Sequence, residues 1–403
     1  AFNCRNCGGQ VNLLAPGQSL SAACNHCGAV ADLTDDNFRI LSDVKAKITR
    51  TPLFEIGSKA QFEGKTWVFI GFMVREVEKY QFVWEEYLLF NPYYGFRFLA
   101  NAYGHWSWIK MIQDLQRAQY HRPEPMYQGE SFRQFSTGSA CVRYVLGEFY
   151  WKAKVDDLAA TVDYISPPYM LSREIEDGGM IWSLGEYLEP QVVADAFGVD
   201  RSILPRKVGV GANQPNQPIQ DYRRILPFWL GSILAVFIIG FISSTSAPKV
   251  LAWSQTYRFP IVNDTVSGIF TLPEGMNRNL EVQVKALSGL ENHWVEYAGV
   301  LHDTLTNLNY DFIIPVEYYQ GVTNGESWSE GSIGGNIVLN EIPGGTYEMV
   351  SSIASDSTGD VEIKIFRGVP IYSNWIWPLL ILSIVPIFLF FRGKSMERRR
   401  NAE

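Results

Sequence analysis

The stretch TWVFIGFMVREV (Thr66–Val77) decides the class of the largest part of this chain. It is dense in β-branched and aromatic residues, which favour a pleated, half-buried strand. YQFVWEEYLLF (Tyr80–Phe90) and GEFYWKAKV (Gly147–Val155) read the same way, and Gly, Pro and Asn punctuate the intervals. DDLAATVDYI (Asp156–Ile165) reads as a loop or short helix entering a further strand. EPQVVADAFGV (Glu189–Val199) has apolar positions at helical spacing and predicts a short helix. Residues 50–200 are therefore expected to form a mainly β domain. A weak echo between EEYLLFNP (Glu85–Pro92) and GEYLEP (Gly185–Pro190) raises a duplicated unit as an expectation.

Ahead of this domain stand Cys4, Cys7, Cys24 and Cys27, in two Cys-x-x-Cys pairs sixteen residues apart. Two such knuckles supply four thiolates, the donor set of a closed tetrahedral zinc site. Gly8 and Gly28 follow the second cysteine of each pair, as tight knuckle turns favour. Residues 1–35 thus predict a small zinc ribbon with structural zinc, since four thiolates leave no position for a reacting water. His26, between Cys24 and Cys27, reads as a solvated turn residue. Cys141, in SACVRYVLG, reads as a buried strand residue.

The 403 residues carry a formal net charge of −8. That balance makes nucleic-acid binding unlikely, because binding phosphates needs a basic surface. The stretch nearest the ribbon, RILSDVKAKITR (Arg39–Arg50), is only modestly basic.

Two uncharged apolar runs, Ile225–Ile242 and Trp375–Phe391, are long enough to cross a bilayer. Trp229, Trp375 and Trp377 sit where an interfacial aromatic belt would lie. Arg223 and Arg224 precede the first run, and the basic tail 392–403 follows the second, while the facing ends are nearly neutral. Positive charge stays inside, so both termini are expected in the cytoplasm and residues 244–371 outside. With no apolar h-region in the first thirty residues, the first span is expected to act as an uncleaved signal anchor. Residues 203–222, which include VGVGANQPNQPIQ, read as a flexible linker. The external segment alternates cleanly in LEVQVKAL (Leu280–Leu287), YDFIIPVEYY (Tyr310–Tyr319) and DVEIKIFRGV (Asp360–Val369), which predicts a β-sandwich of jelly-roll type. It holds 15 Asp and Glu against 6 Lys and Arg, an excess that suits solubility. Asn263, in an Asn-Asp-Thr triplet, fits a glycosylation acceptor only by pattern.

No assembled catalytic constellation appears. His105 has no acid or nucleophile placed beside it, and Glu85, Glu86 and Glu148 are not brought together by spacing. Aromatic residues packing a barrel, with Glu and His satisfying backbone groups, is the reading these residues support. The glycines of GVGANQ (Gly209–Gln214) lack the strand-to-helix context of a phosphate loop.

The segments Ile56–Phe72, Trp84–Leu99, Gly104–Trp106, Gly147–Asp157, Asp163–Glu174 and Trp182–Pro190 together resemble the bacterial domain-of-unknown-function family 4178. The resemblance spans roughly residues 53–195 and implies small SH3-like β-barrel modules in a bacterial inner-membrane system. It implies no catalytic residue. The expected role is a non-enzymatic membrane scaffold or sensor that recruits cytoplasmic protein partners and meets an envelope ligand outside. The alternative is a subunit of a membrane-associated enzyme system whose head binds a small cation such as a polyamine. Homo-oligomerisation is left open.

Overall fold

A computed structural model describes residues 1–42, 50–113, 115, 123–176, 179–245, 249–275 and 277–402; for 176, 244 and 261–267 it describes the backbone alone. The basic residues Lys45 and Lys47 beside the ribbon lie outside the described residues, as does the Asn263 side chain.

Residues 65–188 close into one antiparallel barrel of eight strands. These are β1 (Lys65–Val77), β2 (Phe82–Asn91), β3 (Gly95–Ala102), β4 (His105–Ile112), β5 (Arg133–Phe149), β6 (Leu158–Ser166), β7 (Tyr169–Glu176) and β8 (Gly179–Leu188). The chain runs as two four-stranded meanders. β4 pairs with β8, placing Trp106 opposite Leu188, and β1 pairs with β5, placing Phe72 opposite Leu146. Where β1 meets β5 the backbones approach closely: a Cβ on Gly71 would lie 2.2 Å from the Glu148 carbonyl oxygen. The expected SH3-like modules give way to this single barrel, because neither meander closes without the other. The sequence echo falls on the second strand of the first meander and the last strand of the second, so its halves are not equivalent positions. Asp156–Ile165, expected to begin as loop or helix, is strand from Leu158.

Period-two alternation gives each strand two faces. Trp67, Phe69, Phe72, Tyr87, Trp106 and Trp108 face outward, not into the barrel as the aromatic content suggested. They are buried beneath residues 54–62 and α1 (Pro190–Phe197), the helix expected from the sequence. A second outer patch joins Phe132, Tyr164, Leu171, Trp182 and Leu184. Inside, Ile70, Met73, Leu88, Val145 and Phe149 fill one end with Ala15, Ala23 and Val30 from the N-terminal segment. Strand Ser21–Ala23 of that segment pairs with β5, so its small sheet continues the barrel wall.

The presumed linker is not flexible. Val208 donates its N–H to the Tyr103 carbonyl at 2.9 Å, and its own carbonyl meets His105 Nε2 at 3.1 Å. Asn213 is buried and donates to Ser107 Oγ and to the Pro168 carbonyl, each at 3.2 Å. This strap holds because its polar residues find partners in the barrel, where a Gly/Pro/Asn/Gln composition predicts none.

The strap runs directly into α2 (Gln217–Thr245), which contains the first apolar run; α3 (Ser373–Arg400) contains the second. Both are long and apolar enough to cross a membrane. At about 1.5 Å per residue each exceeds 40 Å in length. The basic tail is therefore mostly helix. Asn216 donates to the Gly393 carbonyl and to Glu397 Oε1, each at 2.9 Å, while its Oδ1 accepts from Ile219 N–H at 3.1 Å. Asn216→Ala is expected to cost about 1–3 kcal/mol, because the buried Gly393 carbonyl and two half-buried groups lose a partner. Hydrogen exchange should then quicken at 208–216; unchanged exchange there would show that His105 and Asn213 hold the strap alone.

Residues 250–367 form two antiparallel sheets. One contains β9 (Val250–Phe259), β11 (Leu280–Ala286), β15 (Gly334–Leu339) and β17 (Gly359–Arg367). The other contains β10 (Ile261–Leu272), β12 (His293–Asp303), β13 (Asn309–Thr323), β14 (Glu326–Gly331) and β16 (Gly345–Ser355). One core, with Val282, Tyr297, Leu301, Tyr347 and Ile363 fully buried, is drawn from both.

Candidate metal centre and barrel cavity

The four predicted ligands meet. All sulfurs of Cys4, Cys7, Cys24 and Cys27 lie within 4.8 Å of one another. The Cys4–Cys27 and Cys7–Cys24 pairs are each 3.7 Å apart. A tetrahedral ion about 2.3 Å from four thiolates separates them by about 3.8 Å, so the residues fit such an ion. Each knuckle closes by the same bonds: Gly8 N–H to the Cys4 carbonyl at 2.7 Å, and Gly28 N–H to the Cys24 carbonyl at 2.8 Å. Both glycines take positive φ, 74° and 76°, which a side chain would strain. Burial opposes the Cys27 thiolate, but the Ala29 N–H, the Asn6 amide and the neighbouring thiols outweigh it and lower the thiol to about 7. His26 is exposed and sits over Gly9, outside the sulfur cluster.

The ribbon is fastened to the barrel by Glu148. This buried carboxylate accepts from the Leu14 N–H, from the Ala15 N–H at 3.1 Å and from Ser19 Oγ at 2.7 Å. Ser21 Oγ donates to the Trp151 carbonyl at 2.6 Å. Burial works against the Asp32 carboxylate, yet Lys152 at 2.8 Å and the Thr34 hydroxyl and N–H hold it down at about 2. Three of the weighed residues thus do structural work: Glu148 here, Glu85 with Tyr87 and Asn101, and His105 between Tyr187 and the strap. Cys141 is buried on β5, and burial pushes its thiol up.

The other end of the barrel is hollow. A cavity of about 1080 Å³ lies inside, lined by the inward faces of the strands, by strap residues 208–213 and by Arg400, Asn401 and Ala402. Eight strands suit an interior that holds one small ligand. Glu86 points into it, while its neighbour Glu85 points out. Arg75 pairs with Glu174 at 2.8 Å and with Glu86 at 3.4 Å, and Trp84 Nε1 donates to Glu86 at 2.7 Å. Asp163 accepts from Ser136 and Ser172 hydroxyls, each at 2.7 Å. Burial pushes the Glu86 carboxyl up against the pull of Arg75, and burial likewise pushes Asp163 up. Burial, aided by the Glu86 and Glu174 charges, pushes the Tyr150 hydroxyl up to about 12.

Arg75, Asp163 and Glu174 escaped the sequence reading. The signal was present: Ala159, Thr161 and Asp163 alternate with Ala160, Val162 and Tyr164, and Met170, Ser172 and Glu174 alternate with Leu171 and Arg173. Polar residues on every second position of strands whose other face is apolar mark either a solvent face or a lined interior.

No curated protein matches the chain. Among solved structures, one described under carbohydrate-binding modules from the β-sandwich superfamily aligns over 67% of this chain and 89% of its own, with 8% identity and a TM-score of 0.13. A similarity that slight supports nothing about fold or role. The barrel is what a known family describes: residues 55–190 match the Domain of unknown function (DUF4178).

Proposed function

We propose that this protein is a non-enzymatic, membrane-anchored receptor. Its zinc-stabilised cytoplasmic head senses a small ligand in the barrel and relays occupancy to protein partners. The observation that carries this reading is the cavity itself, because its mouth is built by the strap that starts α2 and by the last residues of α3. A ligand inside touches the strap that leads into α2 and the last residue of α3. In this reading zinc sits on Cys4, Cys7, Cys24 and Cys27. The basic residues at the strap end of α2 and along the end of α3 keep the head in the cytoplasm, and the two sheets of 250–367 form a β-sandwich outside the bacterial inner membrane. The scaffold role expected from the layout is retained, with the barrel as its receiving end.

Native mass spectrometry of the full chain in nanodiscs tests it. The wild type is expected to carry a small molecule that denaturation releases. Ala100→Trp fills the cavity wall and is expected to carry none. Bare wild-type protein, or equal loading of both forms, would remove the receptor reading.

A further inference from the structure

We infer that the barrel cavity binds an amphiphilic organic cation: one positively charged nitrogen on an apolar, preferably flat, body. The inference rests on the receptor reading above and names the ligand that the cavity walls select.

The charge inside is unbalanced. Glu86, Asp157, Asp163 and Glu174 line the cavity, and the cation nearest Glu86 and Glu174 is Arg75. Its guanidinium pairs with two of the four carboxylates, while Asp163 accepts from the Ser136 and Ser172 hydroxyls. The two other arginines on the wall, Arg133 and Arg400, are tied elsewhere. Arg133 lies 3.0 Å from Asn401 Oδ1 and 3.9 Å from Glu397. Arg400 lies 3.1 Å from Glu397 and donates to the Gln214 carbonyl. An anionic ligand would meet uncompensated carboxylates. A cation supplies the missing charge without any rearrangement of these pairs.

A second, independent observation points to a guest. Arg75 is only 7% exposed, and its Nε finds no acceptor among the described residues. Native interiors seldom leave a buried donor unpaired, so this Nε marks the wall as incomplete without a guest.

The apolar body follows from the rest of the wall. Trp84 already holds the Arg75 guanidinium 5.4 Å from its ring centre, so an aromatic face beside the carboxylates is prepared for positive charge. Phe98, Tyr150 and Trp151 also line the cavity, with Met73 and Met111, whose soft side chains adapt to flat guests. A bare polyamine would satisfy the carboxylates and leave this apolar surface wet. The volume accommodates a ligand of ordinary cofactor size.

Calorimetric titration of the full chain in nanodiscs separates the possibilities, with benzyltrimethylammonium, benzyl alcohol, benzoate and spermidine as probes. Benzyltrimethylammonium is expected to bind at least ten-fold tighter than benzyl alcohol, and benzoate to give no heat. Glu86→Gln and Asp163→Asn should each weaken the cation about ten-fold and leave benzyl alcohol unchanged. Trp84→Leu should weaken the cation as well, while the distant Glu296→Gln should not. Equal binding of benzyl alcohol or benzoate would overturn the cation and leave the receptor standing. Spermidine binding as tightly, and indifferent to Trp84→Leu, would overturn the apolar body. If none of the four probes binds, the cation assignment falls; if wild type and Ala100→Trp are also loaded alike, the receptor reading falls with it.

Discussion

Cys24→Ser is expected to release the metal from the ribbon and to loosen the barrel along with it. Structural zinc sites in small domains contribute apparent binding energies on the order of 10–16 kcal/mol, most of which appears as folding energy. The ribbon core holds only a few small residues, Phe2, Val11, Ala22, Ala29 and Ala31 among them, so little else keeps it folded. Its loss propagates for a specific reason. Glu148 loses the Leu14, Ala15 and Ser19 donors and is left a buried, unpaired carboxylate. The Ser21–Ala23 strand leaves the end of β5, and the Trp151 carbonyl loses the Ser21 hydroxyl. Metal content should fall to near zero by elemental analysis, and hydrogen exchange should rise at 14–23 and again at 147–153. The two sheets of residues 250–367 should survive. A variant that keeps its metal would refute the ligand set. One that loses metal but keeps 147–153 protected would show that the ribbon is an independent appendage.

Arg75→Met is expected to destabilise the head by about 3–5 kcal/mol, the range for removing one partner of a buried ion pair. Methionine keeps an unbranched stem as far as the Nε position and removes the guanidinium, so the loss measures mainly the charge and its hydrogen bonds. What remains is Glu86 and Glu174 facing the same space without a cation. The pH dependence has a definite sign. Burial raises the folded-state value of Glu86 above its unfolded one, so the folded state holds this proton more tightly. The contribution of such a group is fully present at low pH and is lost as pH rises through the interval between the two values. Removing Arg75 takes away the largest interaction pulling Glu86 down, leaving only the Trp84 hydrogen bond, and extends that interval upward. The gap in thermal midpoint between variant and wild type should therefore widen from mild acid toward pH 8. Adding Glu86→Gln should close most of it. A midpoint gap that does not change with pH would mean that Arg75 acts through packing alone.

The cysteine cluster was legible in the chain. Four cysteines at fixed spacing, each pair followed by glycine, leave few geometries, because two short turns bring the four sulfurs to one place. The two long helices were legible for a related reason: an uncharged run of this length has few stable environments. The alternation within residues 280–369 foretold strands where strands occur. The aromatic-rich region was read correctly as β, yet its size and its inside were misjudged. Glu85 and Glu86 are adjacent and chemically identical, but one braces Tyr87 on the outer wall while the other lies in the cavity. The strap was misjudged as a linker because Asn213 and Asn216 are polar residues in a Pro-rich run. Only their partners at Ser107, Pro168, Gly393 and Glu397 turn them from linker residues into anchors.

By itself, then, the sequence determined the elements: a four-thiolate knot, strands with two unlike faces, two apolar helices and the charge at their ends. These are local matters, decided within a turn, a pleat or one helical run. The tertiary structure alone decided which face of each strand is the inside. A period of two is indifferent to that choice, and it was settled when β1 met β5, Phe72 opposite Leu146, and closed the wall. Closure turned the aromatic face outward beneath α1 and residues 54–62, because that surface could be covered there. It turned Arg75, Glu86, Asp163 and Glu174 inward, where low polarity makes their charges matter. A pairing between strands so distant in the chain leaves no mark in either segment, which is why the knot could be read from its spacing and the cavity could not.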